Sequence, residues 1–294
     1  MQKLGIHAFV WTGGSTEDDL NFAIDRTREL GFPLIEFPRL DATKFDVARL
    51  AARVADAGLK VVVTMGLPFG GDISSEDQAV VKHGERILSD AISVTRDLGG
   101  TKLGGIIFSA HGKFQQMPTA RGRDNSIAVM RRIAEKAKPL GITVNLEVVN
   151  RFETNLLNTT AQGLAYIRDA GMDNIYLHLD TFHMQIEEAN PAQAILSAGD
   201  RLGYFHVGES SRGYLGAGTI DFDRIFDALI ASGYDDYITF ESFSSEVVDK
   251  DLSIVAGIWR NTWTDNVALA RHAKAFIEMR YAEAERRALT ARQA

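Results

Sequence analysis

The sequence predicts a TIM (β/α)8 barrel, an α/β fold. Short apolar runs alternate with longer amphipathic stretches, and eight such pairs occur in order. Eight strand–helix units are the number that closes a parallel barrel, and 294 residues suit a fold that needs about 250. An open doubly wound sheet would want a glycine-rich phosphate loop after its first strand, and "VWTGGSTED" (10–18) lacks the GxGxxG spacing.

The elements follow in order. "LGIHAFV" (4–10) is the first expected strand, and Ser15-Thr16-Glu17-Asp18 opens a helix near 17–30. "LIEFP" (34–38) precedes a helix over 46–57. "KVVVTMGL" (60–67) leads through Ser74-Ser75-Glu76-Asp77 into one over 75–98. "LGGIIFS" (103–109), "TVNLEVV" (143–149) and "NIYLHLD" (174–180) are followed by helical patterns at 124–139, 160–170 and 191–198. "GYFHVGE" (203–209) and "YITFES" (237–242) complete the set, with helices at 222–231 and 259–285. Most helices close on glycine, as in "ELGF", "DAGM" and "ASGY". No linker, low-complexity segment or repeat divides 1–294, so one barrel domain with a C-terminal helix is expected. The tail "AEAERRALTARQA" (282–294) reads as a charged, solvated helix end.

Composition narrows the function classes. A net charge of −7 and a pI near 5.5 oppose a nucleic-acid partner, which would need a basic face. The absence of cysteine removes disulfides, thiolate catalysis and sulfur metal sites. No apolar run approaches a membrane span, and "MQKLGIHAFVWTGG" lacks the apolar region and cleavage site of a signal peptide. A cytoplasmic protein is expected.

Side chains in a strand alternate faces with period two. In the last four strands the apolar residues share one face and the polar residues the other. The polar sets are Asn145 and Glu147, His178 and Asp180, Tyr204 and His206, and Thr239 and Glu241. The final polar residue of each set is an acid or a histidine, at the C-terminal mouth where barrel active sites lie. Three converging carboxylates would repel strongly, whereas a divalent cation compensates them. Oxygen-rich ligation with one imidazole favours Mn²⁺, Co²⁺ or Mg²⁺ over structural Zn²⁺. Any one strand-end acid could equally be a structural salt-bridge partner; four at matched parity make that coincidence much harder to sustain.

These residues lie in long ordered motifs: "NLEVVNRFETNLLNT" (145–159), "HLDTFHMQIEE" (178–188), "YFHVGESSRGYLGAG" (204–218) and "TFESFSS" (239–245), after the opening "GIHAFVW" (5–11). Over essentially its whole length the chain resembles the ketose 3-epimerases, which act on D-tagatose, D-psicose or L-ribulose, and most closely the L-ribulose 3-epimerase branch. The resemblance implies a xylose isomerase-like barrel with one divalent ion per subunit, Mn²⁺ first, and a homodimer or homotetramer. It implies Glu147, Asp180, His206 and Glu241 as metal ligands, Glu147 and Glu241 as the catalytic pair, and Glu153, His183 and Arg212 as substrate contacts. Where this chain has Met65, some members carry a cysteine, which bears on substrate preference.

The implied reaction inverts C3 of a free ketopentose or ketohexose, by proton abstraction and redelivery through a metal-bound cis-enediolate. His183 would donate to the substrate O2 or, alternatively, cap the loop after the sixth strand. Arg212 would offer its fork to sugar hydroxyls or to Glu153, and Glu153 would touch substrate or steady Arg212 or His183. His178 and Asn145 lie one inward step below ligands, and Glu36 is a further inward acid that would hydrogen-bond a neighbouring strand. Trp11, Phe69 and Phe108 would wall the pocket or simply pack, and His7, His83, His111 and His272 have no partner that spacing reveals. Competing readings are an aldose–ketose or hydroxypyruvate isomerase on the same barrel, an abasic-site endonuclease, and a non-catalytic sugar-binding barrel.

Overall fold

The computed structural model describes residues 3–14 and 16–293. Its eight strands form one closed parallel barrel in sequence order. They are β1 (Leu4–His7), β2 (Leu34–Pro38), β3 (Lys60–Leu67), β4 (Lys102–Ala110), β5 (Thr143–Val148), β6 (Ile175–Asp180), β7 (Leu202–Val207) and β8 (Ile238–Phe240). β8 pairs with β1 to close the ring.

The helices are α1 (Glu17–Glu29), α2 (Val47–Asp56), α3 (Gln78–Asp97), α4 (Ala120–Ala137), α5 (Thr160–Ala170), α6 (Thr181–Glu187), α7 (Pro191–Ala198), α8 (Phe222–Ser232), α9 (Lys250–Val255) and α10 (Asn266–Gln293). Thr16 starts α1 through a reciprocal capping box with Asp19; Ser15 lies outside the described residues. α5 and α8 end on Gly171 and Gly233 at φ 67° and 74°, a left-handed stop that costs glycine least. No helix among the described residues is long and apolar enough to cross a membrane.

Several boundaries differ from the sequence reading, each for a local reason. β1 stops at His7, because the ring Nδ1 accepts the Phe9 N–H at 3.0 Å and turns Ala8–Val10 into a 3-10 turn. α4 starts four residues early because Thr119 caps it. Strict alternation is broken by α6, which begins directly from β6 with Asp180 as its cap, and by α9. The last helix starts later than expected, at Asn266, and runs unbroken through the charged tail.

Burial separates the two faces of the wall. Val144, Leu146, Leu177, Leu179, Phe205 and Ile238 are fully buried in the large core between sheet and helices. Leu34, Val62 and Tyr204 make a small separate cluster, from inward positions of β2, β3 and β7. Trp11 and Phe108 take the packing alternative. The Trp11 Nε1–H donates to Thr27 of α1 at 2.9 Å, and Phe108 packs on Tyr166 of α5. Phe69 is half exposed, against Phe114.

Candidate active site

The strand register staggers the four strand-end residues, and they meet at the mouth of the barrel. Asp180 pairs with His206, His206 with Thr239, and Glu147 with His178. Glu241 lies one residue past β8, held by its backbone N–H on the Val207 carbonyl at 3.1 Å. One ligand atom from each of Glu147, Asp180, His206 and Glu241 falls within 4.8 Å of all the others, and all four residues are buried. Oxygens of Glu147 and Glu241 lie 3.9 and 3.6 Å from His206 Nδ1.

The donor set fits a divalent cation. His206 Nδ1 has no hydrogen-bond partner among the described residues, although the ring is 1% exposed. Its other nitrogen, Nε2, lies 2.7 Å from Glu36, so a proton there leaves the Nδ1 lone pair aimed at the three carboxylates. Glu36 is fully buried and also accepts from the hydroxyls of Thr64 at 2.5 Å and Tyr204 at 2.6 Å. The inward acid of β2 therefore orients the imidazole that faces the carboxylates, through a network that sequence parity alone did not resolve.

Charge in this cluster is uneven. Burial raises the Glu147 carboxyl well above the usual range, helped by Glu241 and Asp180. Burial also opposes ionisation of Glu241, but His206 and Arg212 outweigh it and hold that carboxyl well below the usual range. Burial disfavours an imidazolium at His206, yet Glu36 and Glu241 prevail and raise its pKa well above the ordinary value. Without an ion, a proton on His206 supplies part of the missing positive charge; a cation at Nδ1 would replace it.

Arg212 supplies the rest. Its Nη1 bridges Asp180 at 2.9 Å and Glu241 at 2.8 Å, and its guanidinium lies over the Phe182 ring at 3.9 Å. Two carboxylates of the cluster and an aromatic face hold the fork, rather than Glu153 as sequence reading had allowed. A Cβ on Gly208 would come within 2.8 Å of Nη1, so a side chain there would displace the guanidinium from its present place. Arg212 is the one non-glycine residue at positive φ, 56°, among those described. Glu209 stabilises this turn: it is fully buried, and its carboxylate accepts the N–H groups of Ser210 and Gly216, each at 2.8 Å.

His183 stands on α6, one turn past Asp180, so it lies on a helix and not in the expected loop. Its Nε2 lies 3.8 Å from both Glu147 and Asp180. Burial lowers its pKa despite Glu153 and Asp180 nearby, which favours the neutral ring. Glu153 reaches His183 through Asn150 and meets His111 at 2.9 Å. Its carboxyl is depressed to about 2: burial works against this, and the His183 and His111 rings outweigh it.

Sequence spacing gave His7 and His111 no partner; the fold gives both one, since His7 Nε2 lies 3.4 Å from Glu36. His178 and Asn145 lie two residues before Asp180 and Glu147 on β6 and β5. His178 Nδ1 is 3.9 Å from Glu147, and neither of its ring nitrogens has a hydrogen-bond partner among the described residues. Above the cluster opens a cleft of about 600 Å³. Glu147 and Glu241 lie at its floor, and Phe9, Met65, Ile106, Phe243 and Leu252 supply apolar wall. Phe9 and Phe243 were missed because they lie in turns whose direction period-two counting does not give.

Comparison with known proteins agrees with this fold. A family model described as a xylose isomerase-like TIM barrel matches residues 24–277. The chain is 54% identical to the L-ribulose 3-epimerase of Mesorhizobium japonicum, covering 98% of this chain and 97% of that protein. It is 49% identical to a ketose 3-epimerase of Arthrobacter globiformis, covering 94% and 95%. A crystal structure of D-allulose 3-epimerase from Methylomonas sp. in complex with D-allulose superposes with a TM-score of 0.93 at 44% identity, covering 95% of this chain and 97% of that one. The chain belongs to the xylose isomerase-like TIM-barrel family and, within it, to the ketose 3-epimerases, enzymes of the isomerase class.

Proposed function

We propose that the protein is a metal-dependent 3-epimerase of free ketoses, with ketopentoses and ketohexoses such as L-ribulose, D-tagatose, D-fructose and D-psicose as its substrate class. The observation that carries this reading is the placement of Glu147 and Glu241. They come from β5 and from the end of β8, on different sides of one four-residue cluster, beneath a cleft wide enough for a sugar. Glu147, Asp180, His206 and Glu241 would hold one divalent ion, with Mn²⁺ the best match to three carboxylates and one imidazole, and Co²⁺ or Mg²⁺ also compatible. Bound there, the ion supplies Lewis-acid polarisation of the C2 carbonyl and the C3 hydroxyl. Three carboxylates, a divalent ion and Arg212 together carry no net charge, with both histidines neutral.

The chain's own groups then move the proton. One of the two glutamates removes the C3 proton from one face, and the other delivers a proton to the opposite face of the planar enediolate; the roles exchange in the reverse direction. Positioned proton transfer of this kind contributes roughly 10²–10⁴-fold. Without the ion, Glu147 is pushed toward the protonated form and Glu241 toward the ionised form; a bound cation would favour both as carboxylates. His183 Nε2–H faces the charge that grows on O2, and the Arg212 fork lies beside it. Glu153 steadies His183 through Asn150. Met65, Phe9 and Phe243 exclude water from the proton in transit.

The test is incubation of L-ribulose, D-tagatose or D-fructose with Mn²⁺-loaded protein in D₂O. A 3-epimerase labels C3 and leaves C2 a ketone. An aldose–ketose or hydroxypyruvate isomerase moves the carbonyl instead, and a non-catalytic sugar binder incorporates no label. Protein stripped with EDTA should show no exchange and a lower melting temperature. Exchange that persists without metal would overturn the scheme.

A further inference from the structure

Asn150 is 2% exposed and lies between two of the proposed substrate contacts. Its Oδ1 accepts the Phe152 N–H at 2.9 Å, which fixes which end of the amide is which. Nδ2 is therefore the donor, at 2.8 Å to Glu153 Oε1 and at 2.8 Å to His183 Nδ1. The Asn150 backbone N–H points at the same ring nitrogen, at 3.3 Å. Two donors converging on His183 Nδ1 require a lone pair there, so the proton of the neutral ring sits on Nε2.

Nε2 points to the carboxylates of Glu147, which lines the cleft, and Asp180, each 3.8 Å away. Arg212 Nη2, which can only donate, lies 3.4 Å from it. With the proton on Nε2, these are two donors side by side that cannot satisfy each other, and the nearest carboxylate oxygens lie beyond hydrogen-bond reach of Nε2 at 3.8 Å; a substrate oxygen would complete the arrangement. The loop is tied down from the far side. Glu187 of α6 accepts the Arg151 backbone N–H at 2.7 Å and its guanidinium at 2.9 and 2.8 Å, so Asn150 and His183 ride on segments joined twice. His206 shows the converse arrangement, in which an acceptor, Glu36, claims the Nε2 proton and leaves a lone pair toward the cluster.

We propose that Asn150 is a positioning residue that locks His183 in the Nε2–H tautomer, making it a hydrogen-bond donor to the ketose O2. The identity of that oxygen rests on the epimerase reading; the tautomer does not. The experiment is ¹⁵N NMR of the full-length, Mg²⁺-loaded protein labelled at histidine, with the His183 resonances assigned by His183→Gln. Wild-type protein should show a pyridine-like Nδ1 and a pyrrole-like Nε2 at His183; the reverse pattern overturns the proposal whether or not any variant folds. Asn150→Asp puts an oxygen where the Nδ2 donor was. It should move His183 toward the Nδ1–H tautomer and lower kcat by roughly ten- to a hundredfold, with KM changed less than about threefold. A folded Asn150→Asp protein with wild-type tautomer, or with a shifted tautomer and unchanged kcat, overturns it. The expected wild-type tautomer in a protein that exchanges no C3 proton would sink the epimerase reading and leave the assignment of the ring proton standing.

Discussion

The Glu36 carboxylate meets His206 at Nε2, 2.7 Å away, at the end of the ring opposite the carboxylate cluster. Each Glu36 oxygen is already engaged, Oε1 by Thr64 and Oε2 by Tyr204 and His206. Glutamine offers one oxygen and one amide, so Glu36→Gln turns a donor toward partners that need an acceptor. It should weaken Mn²⁺ binding by about 10–100-fold, as loss of an outer partner of a metal-bound histidine does. Titration calorimetry on metal-stripped protein reads this directly, and an unchanged Kd would detach Glu36 from the metal.

Glu241→Gln keeps the shape and still accepts from Arg212 but cannot carry a proton. Turnover should fall by roughly 10²-fold or more, with a melting temperature within a few degrees of wild type. Wild-type activity in this variant would remove Glu241 from the catalytic pair.

Arg212 combines a fork on two carboxylates with a left-handed backbone. Arg212→Ala and Arg212→Gly should both raise KM more than they lower kcat. The glycine variant should melt higher, because a Cβ in that conformation costs about 1–2 kcal/mol. Indistinguishable melting of the two would argue against the strained turn, and unchanged kinetics against the substrate contact.

Glu153 couples stability to acid. Its carboxyl is held at about 2 in the fold against an ordinary 4.5. A depressed folded pKa contributes stability that is complete above the unfolded value and disappears as pH falls through 4.5 toward 2. The full contribution is of order 3 kcal/mol. Urea unfolding of wild type and Glu153→Gln at pH 6, 4 and 3 should show their difference shrinking as pH falls. A difference independent of pH would refute the coupling.

The eight-strand ring and the meeting of Glu147, Asp180, His206 and Glu241 were legible because parity is a local property: a strand's alternate residues share a face whatever lies around it. What escaped depended on direction in space. The Glu36–His206 contact joins β2 to β7, and the Glu153–His111 contact joins two loops, and no spacing along the chain encodes either. α6 was missed because its start signal is Asp180 itself, read as a ligand and not also as a cap. Arg212 was expected to offer its fork to sugar hydroxyls or to Glu153, because a loop of unknown course allows any partner. The left-handed turn and the glycine at 208 send its fork to Asp180 and Glu241 instead.

That double use of Asp180 has a mechanical consequence. One carboxylate oxygen accepts the Phe182 N–H at 2.8 Å and so founds the short helix on which His183 stands, while the other faces Arg212 and the cluster. One side chain thus braces both the carboxylate cluster and the base of the helix that carries His183, so a substitution at Asp180 would disturb the two together.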